Sequence, residues 1–226
     1  MAVWLDATDT STITLNGTTV SSWRNKGNAG AGNATQGTAA NQPLYVGNAI
    51  NSLPALQSRW DGSNRSQMQI VDSTALDYTR VYIFVVYQRL TDLGTEENIF
   101  SKYTGTTEFR TGIDSTDAFN FTSSNSGSGA TKVVTSTLSS PVGTTRISEC
   151  YYDGTNISVL TNASNQVSTT ETTIAQGNSV IEIFSRSNTV PFAGYVGEIL
   201  MYTKMLSTTE TAYVRKYLGA KWGIPL

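Results

Sequence analysis

A chain of 226 residues with no histidine and a single cysteine, Cys150, lacks the commonest general base and metal ligand and cannot form an internal disulfide. Its 15 basic and 17 acidic residues leave a net charge of −2. Lys26, Arg59, Arg65, Arg80, Lys102 and Arg110 are scattered along the sequence and read as solvated or rim charges, so neither the basic excess nor the basic stripe of a nucleic-acid binder is present.

Charged residues make up only 14% of the chain, and Ser, Thr, Asn and Gln supply the polarity. Such a surface suits an extracellular or particle-borne protein. No positively charged stretch leads into an apolar run at the N-terminus, which reads as no signal peptide. The longest apolar run, Val81 to Tyr87, is too short to cross a bilayer. The length suits one domain over 1–226, with the Ser/Gly/Asn-rich stretch 123–129 as a long loop.

In chain order, Ile13 to Leu15 and Val20 to Trp23 are short strands about the Asn16-Gly17 turn. Asn25 to Gln42, rich in Gly, Ala, Asn and Thr, reads as an ordered surface loop. Gln42-Pro43 bars helix and leads into an extended Leu44-Tyr45-Val46. Val81 to Tyr87 is continuously β-branched and aromatic, which predicts a central strand covered on both faces. Asn98 to Tyr103, Glu108 to Ile113 and Ala118 to Thr122 follow at the regular spacing of a sandwich or barrel.

Ile147 to Tyr152 and Thr155 to Thr161 flank Asp153-Gly154, which predicts a hairpin with a type I′ turn. Val180 to Phe184 and Tyr195 to Tyr202 are the last strands. Ser207-Thr208-Thr209-Glu210 is a capping box that opens a helix. Tyr213, Val214, Tyr217 and Leu218 form its apolar stripe, and Gly223 and Pro225 stop it. This helix is expected at the sandwich edge, with Trp222 plugging one end of the core. The fold class is therefore all-β: two antiparallel sheets packed as a sandwich, with one C-terminal helix.

A set of segments then carries a family resemblance. Trp4-Leu5-Asp6-Ala7, Val20-Ser21-Ser22-Trp23-Arg24-Asn25-Lys26, Gln42-Pro43, Leu53-Pro54-Ala55-Leu56 and Trp60-Asp61-Gly62 come first. Ile83 to Tyr87, Tyr152-Asp153-Gly154, Gly194 to Tyr202 and Lys221-Trp222-Gly223-Ile224 follow. In this order they resemble concanavalin A-like/laminin-G-like jelly-roll domains, a kind found in bacteriophage virion proteins. Trp60 stands where an apolar Phe often precedes Asp-Gly in that family.

Hydrolases of this architecture carry a close carboxylate pair, usually Glu-x-Asp-x-x-Glu on one strand, whose alternate residues share a face. Glu149, Glu182 and Glu198 are the nearest candidates, and none has a carboxylate two residues on. They read as structural or exposed, and no residue is assigned as catalytic. Cys150, in an apparent strand, reads as a small buried apolar residue.

Calcium is the one cofactor to weigh. Asp114 and Asp117 with Asn120, or Asp6 and Asp9, offer carboxylates, but too few oxygens for a full shell; turn capping is the competing reading. No metal site is assigned. Trp4, Trp23 and Trp222 read as core, whereas Trp60 and Tyr103 flank polar loops and could act as stacking platforms. Trp60, Asp61, Tyr103, Asp114 and Asp117 are the candidate ligand-binding residues.

The resemblance implies a non-enzymatic bacteriophage virion-surface protein, decorating the head or attached at the tail, with virion shell or tail proteins and cell-surface glycans as partners. Open edge strands add the expectation of a homo-oligomer or lattice-bound subunit. The alternative is a carbohydrate-binding lectin-like module of a bacterial surface or secreted protein.

Overall fold

The computed structural model describes residues 1–60, 65–104, 106–124 and 131–226, with the side chains of 104, 106 and 107 excepted. The predicted 123–129 loop falls largely outside these residues, as does Asp61. The first strands are β1 (Val3–Asp6), β2 (Ile13–Asn16), β3 (Thr19–Trp23), β4 (Ala34–Thr35), β5 (Leu44–Ile50), β6 (Leu53–Gln57) and β7 (Met68–Ile70). Next come β8 (Val81–Arg89), β9 (Glu97–Thr104), β10 (Thr106–Ile113), β11 (Ala118–Ser124), β12 (Thr131–Ser139), β13 (Thr145–Tyr152) and β14 (Asn156–Thr161). The chain closes with β15 (Val167–Thr170), β16 (Ile181–Ile183), β17 (Ser185–Arg186), β18 (Val190–Pro191), β19 (Gly194–Tyr202) and the helix α1 (Thr208–Trp222).

All named pairings are antiparallel. They form two layers. The first runs β15-β14-β13-β8-β19, with β1 and β6 sharing the far edge of β19 and β5 beyond β6. The second runs β12-β11-β10-β9-β16-β7-β4-β3-β2. A single β3–β5 pairing, Thr19 with Leu44, joins them.

The strand β8 explains the layering. Successive side chains on a strand alternate between faces. Val81, Ile83, Val85 and Tyr87 enter the core between the layers, where they meet Phe100, Phe109, Phe121 and Ile183. Tyr82, Phe84 and Val86 point the other way and are buried under α1 with Leu218 and Trp222. The uninterrupted apolar run is thus a strand with two apolar neighbours, and each large side chain so buried contributes about 1.5–3 kcal/mol.

The helix therefore covers the outer face of the first layer; it does not plug an end of the sandwich. Its cap is as expected: the Ser207 hydroxyl accepts from the Glu210 N–H, Glu210 accepts from the Ser207 N–H, and Gly223 takes the left-handed conformation at φ 66°. The stripe differs. Thr211, Leu218 and Trp222 are its buried residues, while Tyr213 is 70% and Tyr217 38% exposed. Tyr and Leu lie at one spacing in the sequence, but the helix is rotated so that Trp222 can lie against Gly197. A Cβ there would stand 2.4 Å from the indole.

That rotation is fixed by two buried carboxylates. Glu198 accepts from Trp4 Nε1 (2.8 Å), Tyr217 Oη (2.8 Å), Lys221 Nζ (2.8 Å) and Trp222 Nε1 (2.9 Å). Glu149 accepts from Arg215 Nε (2.7 Å) and Nη2 (2.9 Å) and from Tyr82 Oη (2.9 Å). Lys221 also reaches Asp6 (2.7 Å), whose other oxygen takes Lys26 (3.1 Å). Burial pushes the Asp6 carboxyl up, but hydrogen bonds from Lys221 and Thr8 outweigh it and hold the group below the ordinary range.

Three further expectations are corrected. Asp153 is absent from the positive-φ residues and only Gly154 (φ 96°) has that sign, so the turn is not type I′. Instead Asp153 Oδ1 accepts from the Thr155 and Asn156 N–H groups. The last-but-one core strand ends at Ile183, before Phe184 at φ 72°. Lys102 and Arg110 are not solvated rim charges: Lys102 is fully buried against Asp72 and Glu108, and Arg110 is largely covered. Cys150 is buried among apolar side chains, which pushes its thiol well above the usual range.

Replacing Glu198 by Ala should cost about 3–5 kcal/mol, because two indole N–H groups lose their acceptor and Lys221 loses one of its two carboxylates. Ser207→Ala removes one cap and should cost about 1 kcal/mol. Urea unfolding that ranked the two variants in the opposite order would refute the clamp assigned to Glu198.

Candidate functional site

The β17–β18 hairpin lies on the side of the second layer that faces away from the core. Phe184 has a positive φ, and so do Ser187 (48°) and Asn188 (52°) at the tip. Three non-glycine residues in this region within five positions store backbone strain, which persists only where surroundings impose it. The surroundings are visible. Phe192 N–H donates to Phe184 O at 2.7 Å, and Ser187 N–H donates to Glu182 Oε2 at 2.7 Å. The other oxygen of Glu182 accepts from Gln67 Nε2 at 2.7 Å.

This tip gathers two ring–guanidinium stacks. The Arg65 guanidinium lies 4.7 Å from the Trp60 ring centroid, and its Nη1 donates to the Asn188 carbonyl. The Arg186 guanidinium lies 5.4 Å from the Tyr103 ring. Trp60 and Tyr103 are both half-buried, each with a cation over its face, an arrangement that rigidifies the ring and the charge together.

Behind Arg186, β10 supplies Arg110. Alternation sends Phe109 into the core and Arg110 outward. Arg110 Nε and Arg186 Nη1 stand 3.3 Å and 3.5 Å from the same Glu96 oxygen. Across the strand pair, Arg110 is opposite Ser101 on β9 and Thr122 on β11, and Glu182 is opposite Ser101 and Gln69. The outward face of the second layer therefore carries a continuous polar row.

The structure brings Trp60 and Tyr103 together at this tip. It leaves Asp114 and Asp117 elsewhere. Tyr103 pairs with Thr107 beside the β9–β10 turn, whereas Asp114 follows Ile113, which pairs with Glu97 at the other end of the hairpin. Asp114 Oδ1 accepts from Thr116 N–H, Thr116 Oγ1 and Ala118 N–H, and Oδ2 from Thr135 Oγ1. Burial raises its carboxyl, but the Thr116 bonds outweigh this and leave it lowered. Asp117 pairs with Arg89 at 2.7 Å.

These are turn-holding roles. Asp6 and Asp9 are likewise engaged, by Lys26. Among the described residues no group of three or more His, Cys, Asp or Glu side chains is placed to hold a metal ion.

Sequence reasoning missed Arg110, Arg186, Glu96 and Glu182 as a group. The signal for Arg110 was present in the alternation Phe109-Arg110-Thr111. Nothing local marked Arg186, which reaches the site through a strained turn.

No protein-family model matches the chain, and no curated protein does. Solved structures do. The receptor-binding domain of botulinum neurotoxin C/D mosaic serotype aligns with a TM-score of 0.67 at 11% identity, over 100% of this chain and 54% of that one. The type G receptor-binding domain aligns at 0.62 and 13%, over 95% and 50%. The binding domain of botulinum neurotoxin DC, in complex with rat synaptotagmin II, aligns at 0.58 and 11%, over 89% and 52%. The chain thus spans about half the length of these neighbours, and at such identities the likeness is one of fold: a β-rich jelly-roll sandwich.

The hairpin's support predicts a pH effect. Burial raises the Glu182 carboxyl, against opposing hydrogen bonds from Ser187 and Gln69. The folded chain then holds this proton to higher pH than the unfolded chain. Stability falls as pH rises from the unfolded value, about 4.3, through the raised native value, and is level above it. Glu182→Gln abolishes that component. Urea midpoints taken across this window should shift in favour of the variant as pH rises; a constant difference would exclude the assignment.

Proposed function

We propose that the chain is a non-enzymatic binding module that grips a glycan at the tip formed by Trp60, Arg65, Tyr103, Arg186 and Asn188. One observation carries this reading: two ring–guanidinium stacks converge on one strained hairpin. Strain held in place by dedicated hydrogen bonds is the mark of a pre-organised contact surface. Half-buried aromatic faces beside fixed donors suit a sugar, whose ring has an apolar face and a hydroxyl edge.

The partner class has support from the fold neighbours, which are receptor-binding domains. One of them is described as bound to synaptotagmin II, and type C toxin is described as needing two ganglioside molecules to enter cells. The carboxylates that resemblance to hydrolases would single out, Glu149 and Glu198, are occupied in holding α1.

The setting proposed for the module is a bacteriophage virion surface, as a head decoration or a tail-associated protein. It is held there by shell or tail proteins, or by copies of itself, as the jelly-roll resemblance implies. A lectin-like module of a bacterial surface or secreted protein is the second reading, favoured by the same ring–guanidinium tip.

Immobilised bacterial-surface glycans should retain the protein, and Trp60→Ala and Tyr103→Ala should each weaken retention by about thirtyfold, the loss typical of a central aromatic contact. Their melting temperatures should stay near wild type, since both rings are half-buried. Retention that is indifferent to both substitutions, or release of reducing sugar from the glycan, would sink the proposal.

A further inference from the structure

Among the described residues three clusters of ion pairs share one pattern, and two separate pairs, Lys204–Glu210 and Arg215–Glu149, are one to one. Arg89 meets Asp92, Glu97 and Asp117. Lys102 meets Asp72, Asp77 and Glu108. Lys26 and Lys221 meet Asp6, Asp9 and Glu198. In each group the carboxylates outnumber the cations. At Glu96 the ratio is reversed: among the described residues this is the one cluster where two guanidiniums share a single carboxylate.

The sharing is also poor. Charge-assisted N–H···O bonds lie at about 2.7–2.9 Å, and these contacts are 3.3 Å and 3.5 Å. Arg110 Nε and Arg186 Nη1 are both shielded from solvent and make no hydrogen bond. Thr122, directly opposite Arg110, has a buried hydroxyl without a partner, and Asn120, two residues away on the same face, has a buried side-chain carbonyl without one. Unmet buried polar groups are costly and uncommon. Arg186 lies over the Tyr103 ring, while Asn120, opposite Gly112 and Thr135, stands toward the Asp114 end of the same strands.

We propose that the Arg110–Arg186 pair takes the carboxylate of an acidic saccharide. Arg110 and Arg186 receive the anionic oxygens, and the Tyr103 ring lies alongside the sugar. Glu96, one-third exposed, holds the two guanidiniums apart and aligned until the ligand's carboxylate competes with it. The inference rests on the glycan-binding reading and names the chemical class within it.

The test uses the whole chain and a calorimetric panel: oligogalacturonate, oligosialate, their methyl esters, and inorganic sulfate. At least one carboxylated oligosaccharide should bind, its methyl ester should bind at least about tenfold more weakly, and affinity should fall as salt screens the charges. Arg110→Gln should weaken binding by about thirtyfold or more. Glu96→Gln should tighten it severalfold, a gain that a merely structural glutamate would not give.

Equal binding of acid and ester, or Glu96→Gln binding like wild type, would overturn the proposal. Sulfate competing as well as the saccharide would reduce the arginine pair to a simple anion site, and that too would overturn it. Binding of neutral glycans that depends on Trp60 but not on Arg110 would leave the binding module standing and remove the acidic ligand. No binding to any acidic member would also remove it.

Discussion

A single buried carboxylate, Glu198, joins the beginning of this chain to its end. It sits on the last strand, next to a bulge, and accepts from Trp4 on the first strand and from Tyr217, Lys221 and Trp222 on the helix. None of these groups could be buried there alone without losing its hydrogen bond. The clamp forces α1 onto the first layer, and α1 makes the outer face of β8 a second core. β8 in turn anchors β13 and β19 on its two edges. The order of the first layer follows from where one charge is satisfied.

The second layer is organised differently. Its inner face is a run of rings, Phe100, Phe109 and Phe121, packed at centroid distances of 5.7 Å and 6.3 Å. Its outer face is polar, and the hairpin that crosses it is held by Glu182 at its tip and by buried Phe184 and Phe192 at its base. Glu149 and Glu198 of the first layer attach a helix, whereas Glu182 of the second shapes a turn.

The layered fold could be read from sequence because period-two alternation and turn residues repeat along most of the chain. The double burial of Val81 to Tyr87 was legible for the same reason. The helix face was not. Tyr213, Val214, Tyr217 and Leu218 share the right spacing, yet the clamp and Gly197 rotate Tyr213 into solvent. In the site, Trp60 and Tyr103 were legible as rings beside polar loops. Arg186 and Glu96 were not, because they are distant in sequence from Arg110 and meet only after β9 pairs with β16 and the chain reverses at Phe184. Asp114 and Asp117 look like ligands in a string of letters because turn caps and cation shells use the same side chain.

The position of α1 has a directional consequence. A bare sandwich offers two broad surfaces, front and back, and either could be turned toward a target. Here the helix occupies the back, and the Arg110–Arg186 pair and the ringed hairpin lie on the front. A support that grips the molecule through α1 would leave the front displayed outward, in one orientation and on every copy. An array of such copies would then present a field of identical contacts, and weak individual grips would add up through avidity.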